Sequence, residues 1–596
     1  MADSPTANTG SPMSFIITSD GSEIDDAISI CSISIQQTIN KVTSAKIVVL
    51  DGDMPSQDFP ISNEDTFKPG SEIVIKAGYE GNNDTIFEGI VIRHGIKING
   101  GNFSRLVVEC RDKSIAMTVA RSNVNYVDSK DSDIISKLIG NYSGLSADVE
   151  ATETKYKELV QYYTSDWDFM LSRAEANGLL VTVDAAKVVV KSPQTSETEV
   201  LEVTYGDDLI EFNADVDARR QLSEVKSVSW DPSTQKLIEE QVKPQTLNSQ
   251  GDLSASDLSS VLNIKSFPLQ TPCPIEKAAL KAWATGQQIK SGLSRIRGRM
   301  KFQGSAMAKA GCLIKVSGVG NRFNGNVYVS AVKHDISDGN WITDVDFGMS
   351  PDWFAERRDL SAPVASGLLP GVEGLQIGVV MKLDEDPSKE NKVQVKVPSL
   401  MMETEGVWAR LANFYASDSF GAFFIPEIGD EVILGYLNGD PSHPIILGSL
   451  YSSKIKPPYD ITADNFTKAI VTKSKLTVEF DDDKKIITIT TPGKNKIVLD
   501  DDAKSILLED QNKNKVELSD SGIVLDSPKD ISISAKGKIT LDATGEISLS
   551  SKADIKGEGL NVNLTAKAGF VAKGSASAEV SASGNTTVKG AMVMIN

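Results

Sequence analysis

The last quarter of the chain, from about Leu476 to Asn596, is a succession of apolar pairs too short to fold alone. Three consecutive units show the pattern: Asp530-Ile-Ser-Ile-Ser-Ala-Lys-Gly537, Lys538-Ile-Thr-Leu-Asp-Ala-Thr-Gly545 and Glu546-Ile-Ser-Leu-Ser-Ser-Lys-Ala553. Each places two aliphatic side chains two residues apart, on one face of a strand. Two such side chains fall far short of offsetting roughly 1–2 kcal/mol of backbone entropy per ordered residue. The stripe needs partners that repeat with the same period, and identical chains wound about a common axis supply them. The expected form is a homotrimeric needle with Ile531, Ile533, Ile539, Leu541, Ile547 and Leu549 facing the axis.

At 596 residues the chain holds several domains, and 40% hydrophobic content suffices for ordinary cores. Aromatics make up only 6%, which suits β-structure with much surface and little interior. The net charge of −20 argues against nucleic acid as a partner and against adhesion to anionic membranes. Cys31, Cys110, Cys273 and Cys312 lie far apart with no Cys-x-x-Cys, as expected of reduced thiols in a protein made in the cytosol. The start lacks a basic segment followed by an apolar one, so no secretory signal is expected. No stretch approaches the ~20 apolar residues of a membrane span. Export, if it occurs, requires a machine.

Residues 1–13 read as a disordered leader. Strand-like runs follow at Ser14–Thr18, Ser32–Ile35, Ala45–Leu50, Ile73–Lys76 and Leu106–Cys110, separated by turn residues. Helices are expected over Asp131–Leu138 with Asp131 as cap, over Asp166–Asn177 ending at Gly178, and over Ile275–Ile289 with Pro274 at its start. Residues 230–265 read as a mobile polar loop. Two stretches carry the same marks in the same order. Pro69-Gly70 before an apolar run, Phe87-Glu-Gly89, His94 and Gly101-Asn-Phe103 are matched by Ala310-Gly311, Phe323-Asn-Gly325, His334 and Gly339-Asn-Trp341. Two related β-barrels are therefore expected in each chain. Three chains would then present a face of near sixfold symmetry.

Residues 363–374, rich in Gly, Pro, Ser and Ala, read as a linker to a compact β-module. That module carries Trp408-Ala-Arg410, Pro426 followed by Gly429-Asp-Glu-Val432, then Gly439-Asp-Pro441 and Gly448-Ser-Leu-Tyr451. The run resembles the OB-fold module of VgrG-type spike proteins, and its tight-turn residues between apolar strands suit a small closed barrel. A second run, Gln161-Tyr162, Ser165-Asp166, Phe169, Arg173, Glu175 and Gly178, resembles the hub signature of the same family. Hub, barrel and needle matches in order cover most of the chain.

The resemblance implies a mainly β architecture: hub barrels with a few helices, an OB-fold, and a C-terminal triple-stranded β-helix formed by a homotrimer. The expected divisions are a leader (1–13), a hub (14–365), an OB module (366–460) and a needle (461–596). It also implies a role as the hub and needle of a contractile injection machine, such as a phage tail, a type VI apparatus or an extracellular particle. Implied partners are a hexameric inner tube, baseplate proteins, a PAAR-type tip protein and, in some machines, cargo effectors. Assembly in the baseplate would precede delivery outside the cell, with membrane contact only during puncture.

Catalysis finds little support in the residues. His94, His334 and His443 are widely spaced, and no His-Glu-x-x-His motif occurs. His94 and His334 hold matching places in the two copies, which indicates a structural role. Asp481-Asp-Asp483 and Asp500-Asp-Asp502 lack the glycine-centred spacing of a calcium loop and read as solvated turns. No cofactor or metal is expected. About eight residues, 459–466, separate barrel from needle, too few for the hydrolase domain that a cell-wall-degrading hub would need. A trimeric receptor-binding fibre would need a C-terminal head, which residues 551–596 do not offer. In a trimer, Met592, Val593, Met594, Ile595 and Asn596 would form a blunt apolar end, the expected dock for the tip protein.

Overall fold

The computed structural model describes the chain except residues 1–2, 7–9, 11, 101–102, 246, 358–359, 401–405 and 596. It comprises two compact units, residues 1–450 and 451–596.

Twelve hub strands of the first unit fall into two sets. The first is β1 (Met13–Ser19), β2 (Ile30–Thr38), β3 (Ser44–Leu50), β4 (Glu72–Tyr79), β5 (Asn82–Asn99) and β6 (Phe103–Arg111). The second is β7 (Leu201–Thr204), β8 (Leu209–Val216), β9 (Ile296–Gln303), β10 (Leu313–Ser317), β11 (Gly325–Ser337) and β12 (Asn340–Phe347). Pairing runs β1-β4-β5-β6-β3-β2 in the first and β7-β10-β11-β12-β9-β8 in the second, the same order strand for strand. They differ at one end: β1 is antiparallel to β4, whereas β7 is parallel to β10. The repeated marks of the sequence thus report a repeated topology. The two copies do not close as separate barrels, however. β2 pairs with β11, placing Ile35 opposite His334, so both belong to one continuous sheet. Each copy keeps its own core, around Ile47, Phe67 and Ile73 in one and Met300, Phe302 and Val345 in the other.

Between the copies lies a helical module with α1 (Asp131–Gly140) and α2 (Asp166–Ala176). A second insertion carries strands Val225–Asp231, Lys236–Val242 and Phe267–Thr271, with α3 (Ala255–Leu262) and α4 (Lys277–Leu293). The mobile loop expected at 230–265 is therefore mostly ordered. The strand that leads into it, Val225–Asp231, escapes notice because serines replace aliphatic residues on its buried face. Ser227 donates its hydroxyl to the Leu280 carbonyl (2.8 Å) and Ser229 to that of Ile275 (3.3 Å), both on the helical side of the packing. The α4 helix begins two residues later than expected, at Lys277. The expected leader is held in part: Asp3 bridges Leu201, and Thr6 donates to the Asp208 carboxylate at 2.7 Å.

Strands Gln376–Lys382, Val393–Lys396, Val407–Leu411, Pro444–Ser449 and Glu431–Tyr436 close a five-stranded barrel around Val380, Val395, Ala409, Val432 and Leu434. Its tight turns use left-handed backbone at Gly429 (φ 91°), Asn438 (φ 50°) and Gly439 (φ 66°).

In the second unit, seven five-residue strands between Thr467 and Asp526 form an antiparallel meander within one chain. The sequence reading placed inter-chain needle structure from residue 461 onward. The difference lies in the turns. Lys475, Lys485, Lys494, Lys504 and Lys513 adopt positive φ, and carboxylates close the reversals. Asp481 accepts from Lys484 N (3.0 Å) and Asp500 from Ala503 N (2.8 Å). After Asp526 such turns cease, and residues 527–595 contain neither helix nor strand.

Candidate assembly surfaces

The hub signature proves to be scaffolding. Ser165 caps α2 by accepting from Asp168 N at 3.1 Å. Gln161, fully buried, donates to Asp166 (2.8 Å) and accepts from the Tyr126 hydroxyl (3.0 Å). Arg173 grips Asp131 with two bonds, 2.7 and 2.9 Å, and Asn177 adds a third at 2.8 Å. Asp131 is therefore not the helix cap expected; its carboxylate is wholly buried and paired, and Lys130 holds the cap position. Glu175 pairs with buried Lys290 of α4 and accepts from Phe354 N at 2.6 Å. Burial, outweighing Lys290, raises the Glu175 pKa above the usual carboxylate range. Gly178 has φ 71°, and a Cβ there would stand 3.2 Å from the Gly286 Cα, so a side chain would strain the backbone and press on α4.

The histidines also sit in structural bonds. His94 Nδ1 lies 2.9 Å from the Phe67 carbonyl and its Nε2 lies 2.7 Å from the Ser62 hydroxyl. His334 Nδ1 accepts from Trp341 Nε1 at 3.3 Å and contacts the Thr343 hydroxyl at 3.0 Å. His443 lies in a turn, 3.2 Å from Asp440. Among the described residues no cluster of three His, Cys, Asp or Glu side chains is arranged to hold a metal. The four cysteines are free thiols.

The unsatisfied surface is apolar and concentrated in the second unit. Strand register lines up Phe480, Ile487, Leu499, Ile506 and Leu518 in one row. A second row on the same face runs Val478, Ile489, Ile497, Leu508 and Val516. Most of these side chains are more than a third exposed, although alternation along each strand marks the face as a core surface. The sequence signal was present in Ile486-Ile-Thr-Ile-Thr490 and Ser505-Ile-Leu-Leu-Glu509, but the reading named no residues from this stretch.

Beyond it, every described residue from 528 to 595 is exposed within the single chain. The named axis residues Ile531, Ile533, Ile539, Leu541, Ile547 and Leu549 are 51–72% exposed. At the end, Met592, Met594 and Ile595 are 80–92% exposed and Val593 is half-exposed, while Asn596 lies outside the described residues. The first unit adds an aromatic loop, with Phe414, Tyr415, Phe420, Phe423 and Phe424 exposed on the barrel module.

Comparison with known families accounts for this layout. Residues 9–338, more than half of the chain, match the Alg8 N-terminal domain. Residues 376–451 match the type VI secretion system/phage-baseplate injector OB domain, and residues 486–596 the phage baseplate V C-terminal trimerisation domain. The chain belongs to the family of the Alg8 N-terminal domain, and it carries an injector OB domain and a baseplate trimerisation domain behind it. Among VgrG relatives, the type VI spike protein VgrG1c of Pseudomonas aeruginosa is 31% identical over 137 residues, 21% of this chain and 19% of that protein. VgrG3 of Vibrio cholerae is 35% identical over 109 residues, 17% and 11% of the two chains. The chain thus spans less than a fifth of the length of either VgrG relative. A tail protein from Neisseria meningitidis MC58 has a similar structure (TM-score 0.43, 13% identity, covering 58% of this chain and 98% of that one). The uncovered face and the strandless tail both fall mostly within the trimerisation match.

Proposed function

We propose that three copies of this chain form the central spike of a contractile injection machine. The carrying observation is the second unit: an apolar sheet face followed by a long exposed tract, with no partner in its own chain. Two further copies would cover both, with Ile531, Ile533, Ile539, Leu541, Ile547 and Leu549 turned to the axis. In this reading residues 14–365 are the hub, 366–460 the OB module and 461–596 the needle. The topological duplication supports docking to a hexameric inner tube, since a trimer then offers six near-equivalent lobes. Baseplate proteins would surround the hub, and a PAAR-type tip protein would sit on Met592, Val593, Met594 and Ile595.

The spike works mechanically. Sheath contraction supplies the force, the needle concentrates it, and no residue performs chemistry. The chain is made in the cytoplasm, assembled in the baseplate and carried out by the machine. Among the described residues, no helix is long and apolar enough to cross a membrane. Light scattering tests the reading. The purified chain should weigh about three times its 64.1 kDa. A monomer with residues 467–595 ordered in dilute buffer would overturn it.

A further inference from the structure

A cavity of about 340 Å³ lies beneath the loop 244–256, between it and the end of α4. Its walls are fixed. Gly251 N donates to the Asn324 carbonyl (2.8 Å), Asn326 N to that of Ser249 (2.7 Å), and Arg322 pairs with Asp252 at 2.9 Å. Gly292 forms part of the lining, where a Cβ would stand 2.5 Å from Leu247.

Two residues in this lining keep donors to spare. Gln250 is only 4% exposed, and among the described residues its Nε2 has no hydrogen-bond partner. Its orientation is set by Asn248, whose Nδ2 donates to the Asn326 carbonyl (2.7 Å) and to Gln250 Oε1 (3.4 Å). The orphan is therefore a donor, and leaving it unpaired is costly. Arg295 spends Nη1 on the Leu253 carbonyl and Nη2 on that of Asn248 (3.4 Å), leaving three of its five N–H groups free. Among the described residues it has no carboxylate partner. Asp252 is taken by Arg322 and Asp257 by the Ser254 cap. Burial alone lowers the Arg295 pKa, with no nearby anion offsetting it.

We propose that this cavity binds a short-chain monocarboxylate, with Arg295 supplying the charge and Gln250 a second donor. A planar two-oxygen anion matches the guanidinium fork. A single cation balances a monoanion, whereas a phosphate dianion would be left half-compensated. Leu247, Pro244 and Ala255 offer apolar wall for the ligand's chain, and the volume lies within the usual range for small-molecule sites. This site is independent of the assembly surfaces above.

Butyrate titrated into the full-length chain, followed by ligand-observed NMR, tests the proposal. Saturable binding at one site per chain is expected, weakened about tenfold in Arg295→Lys, which keeps the charge but loses the fork. Gln250→Glu preserves shape while placing a carboxylate in the lining that Arg295 shares. It should abolish butyrate binding and raise the melting temperature of the free protein. The proposal fails if the native chain shows no saturable binding, if Gln250→Glu binds butyrate unchanged, or if butyramide or inorganic phosphate binds as well as butyrate.

Discussion

At the scale of single residues, the family signature earns its place by holding α1, α2 and α4 together. Arg173 and Asp131 form a bidentate pair, and removing the arginine leaves a wholly buried carboxylate without its counter-charge. Arg173→Met should cost about 3–5 kcal/mol of hub stability, read as a shift in the denaturant midpoint followed by Trp fluorescence. His334 gives a second test. Its Nδ1 lone pair faces both Trp341 and Thr343, and burial lowers its pKa from 6.5 to about 4. Between those values the unfolded chain takes up a proton that the native imidazole refuses. Stability conferred by the neutral ring is thus complete above pH 6.5 and declines on acidification toward pH 4, by up to about 3 kcal/mol. His334→Gln should flatten that part of the stability–pH curve in chemical denaturation. An unchanged slope would count against the assignment. Arg173 and Gly178 were visible in the sequence as signature residues. The pairing of Arg173 with Asp131 and of Glu175 with Lys290 was not, because partners 42 and 115 residues apart leave no local pattern.

At the scale of elements, legibility followed the chemistry of the buried face. The octads carry the aliphatic spacing of a strand but hold no strand within the single chain, whereas Ser227 and Ser229 hid a buried strand behind hydroxyls that bond to the Leu280 and Ile275 carbonyls. The meander at 467–526 went unforeseen for another reason. Its reversals depend on lysines in left-handed backbone, a conformation that lysine does not advertise. Within the needle, Ile539→Asp would bring three like charges to one axial layer. The expected result is loss of the trimer peak in size-exclusion chromatography while the hub's thermal transition persists. Truncation after Gly590 makes a milder change. It should leave trimer mass unaltered but abolish capture of a PAAR-type tip protein in a pull-down, and retained capture would move the dock elsewhere.

Across the whole molecule, the repeat in the hub and the dependence of the tail on other copies act together. The duplicated strand order was inferable from Gly70 and Gly311, His94 and His334, but the joining pair of β2 with β11 was not, since nothing local marks one edge as the neighbour of another. The tail has a kinetic corollary. A tract whose backbone partners lie in sister chains orders only through encounter. While single chains predominate, halving their concentration should lower the equilibrium number of closed needles about eightfold. Spike yield would then be governed by how rapidly a cell makes this polypeptide in one place, and slow or scattered synthesis would leave the tract open to proteases.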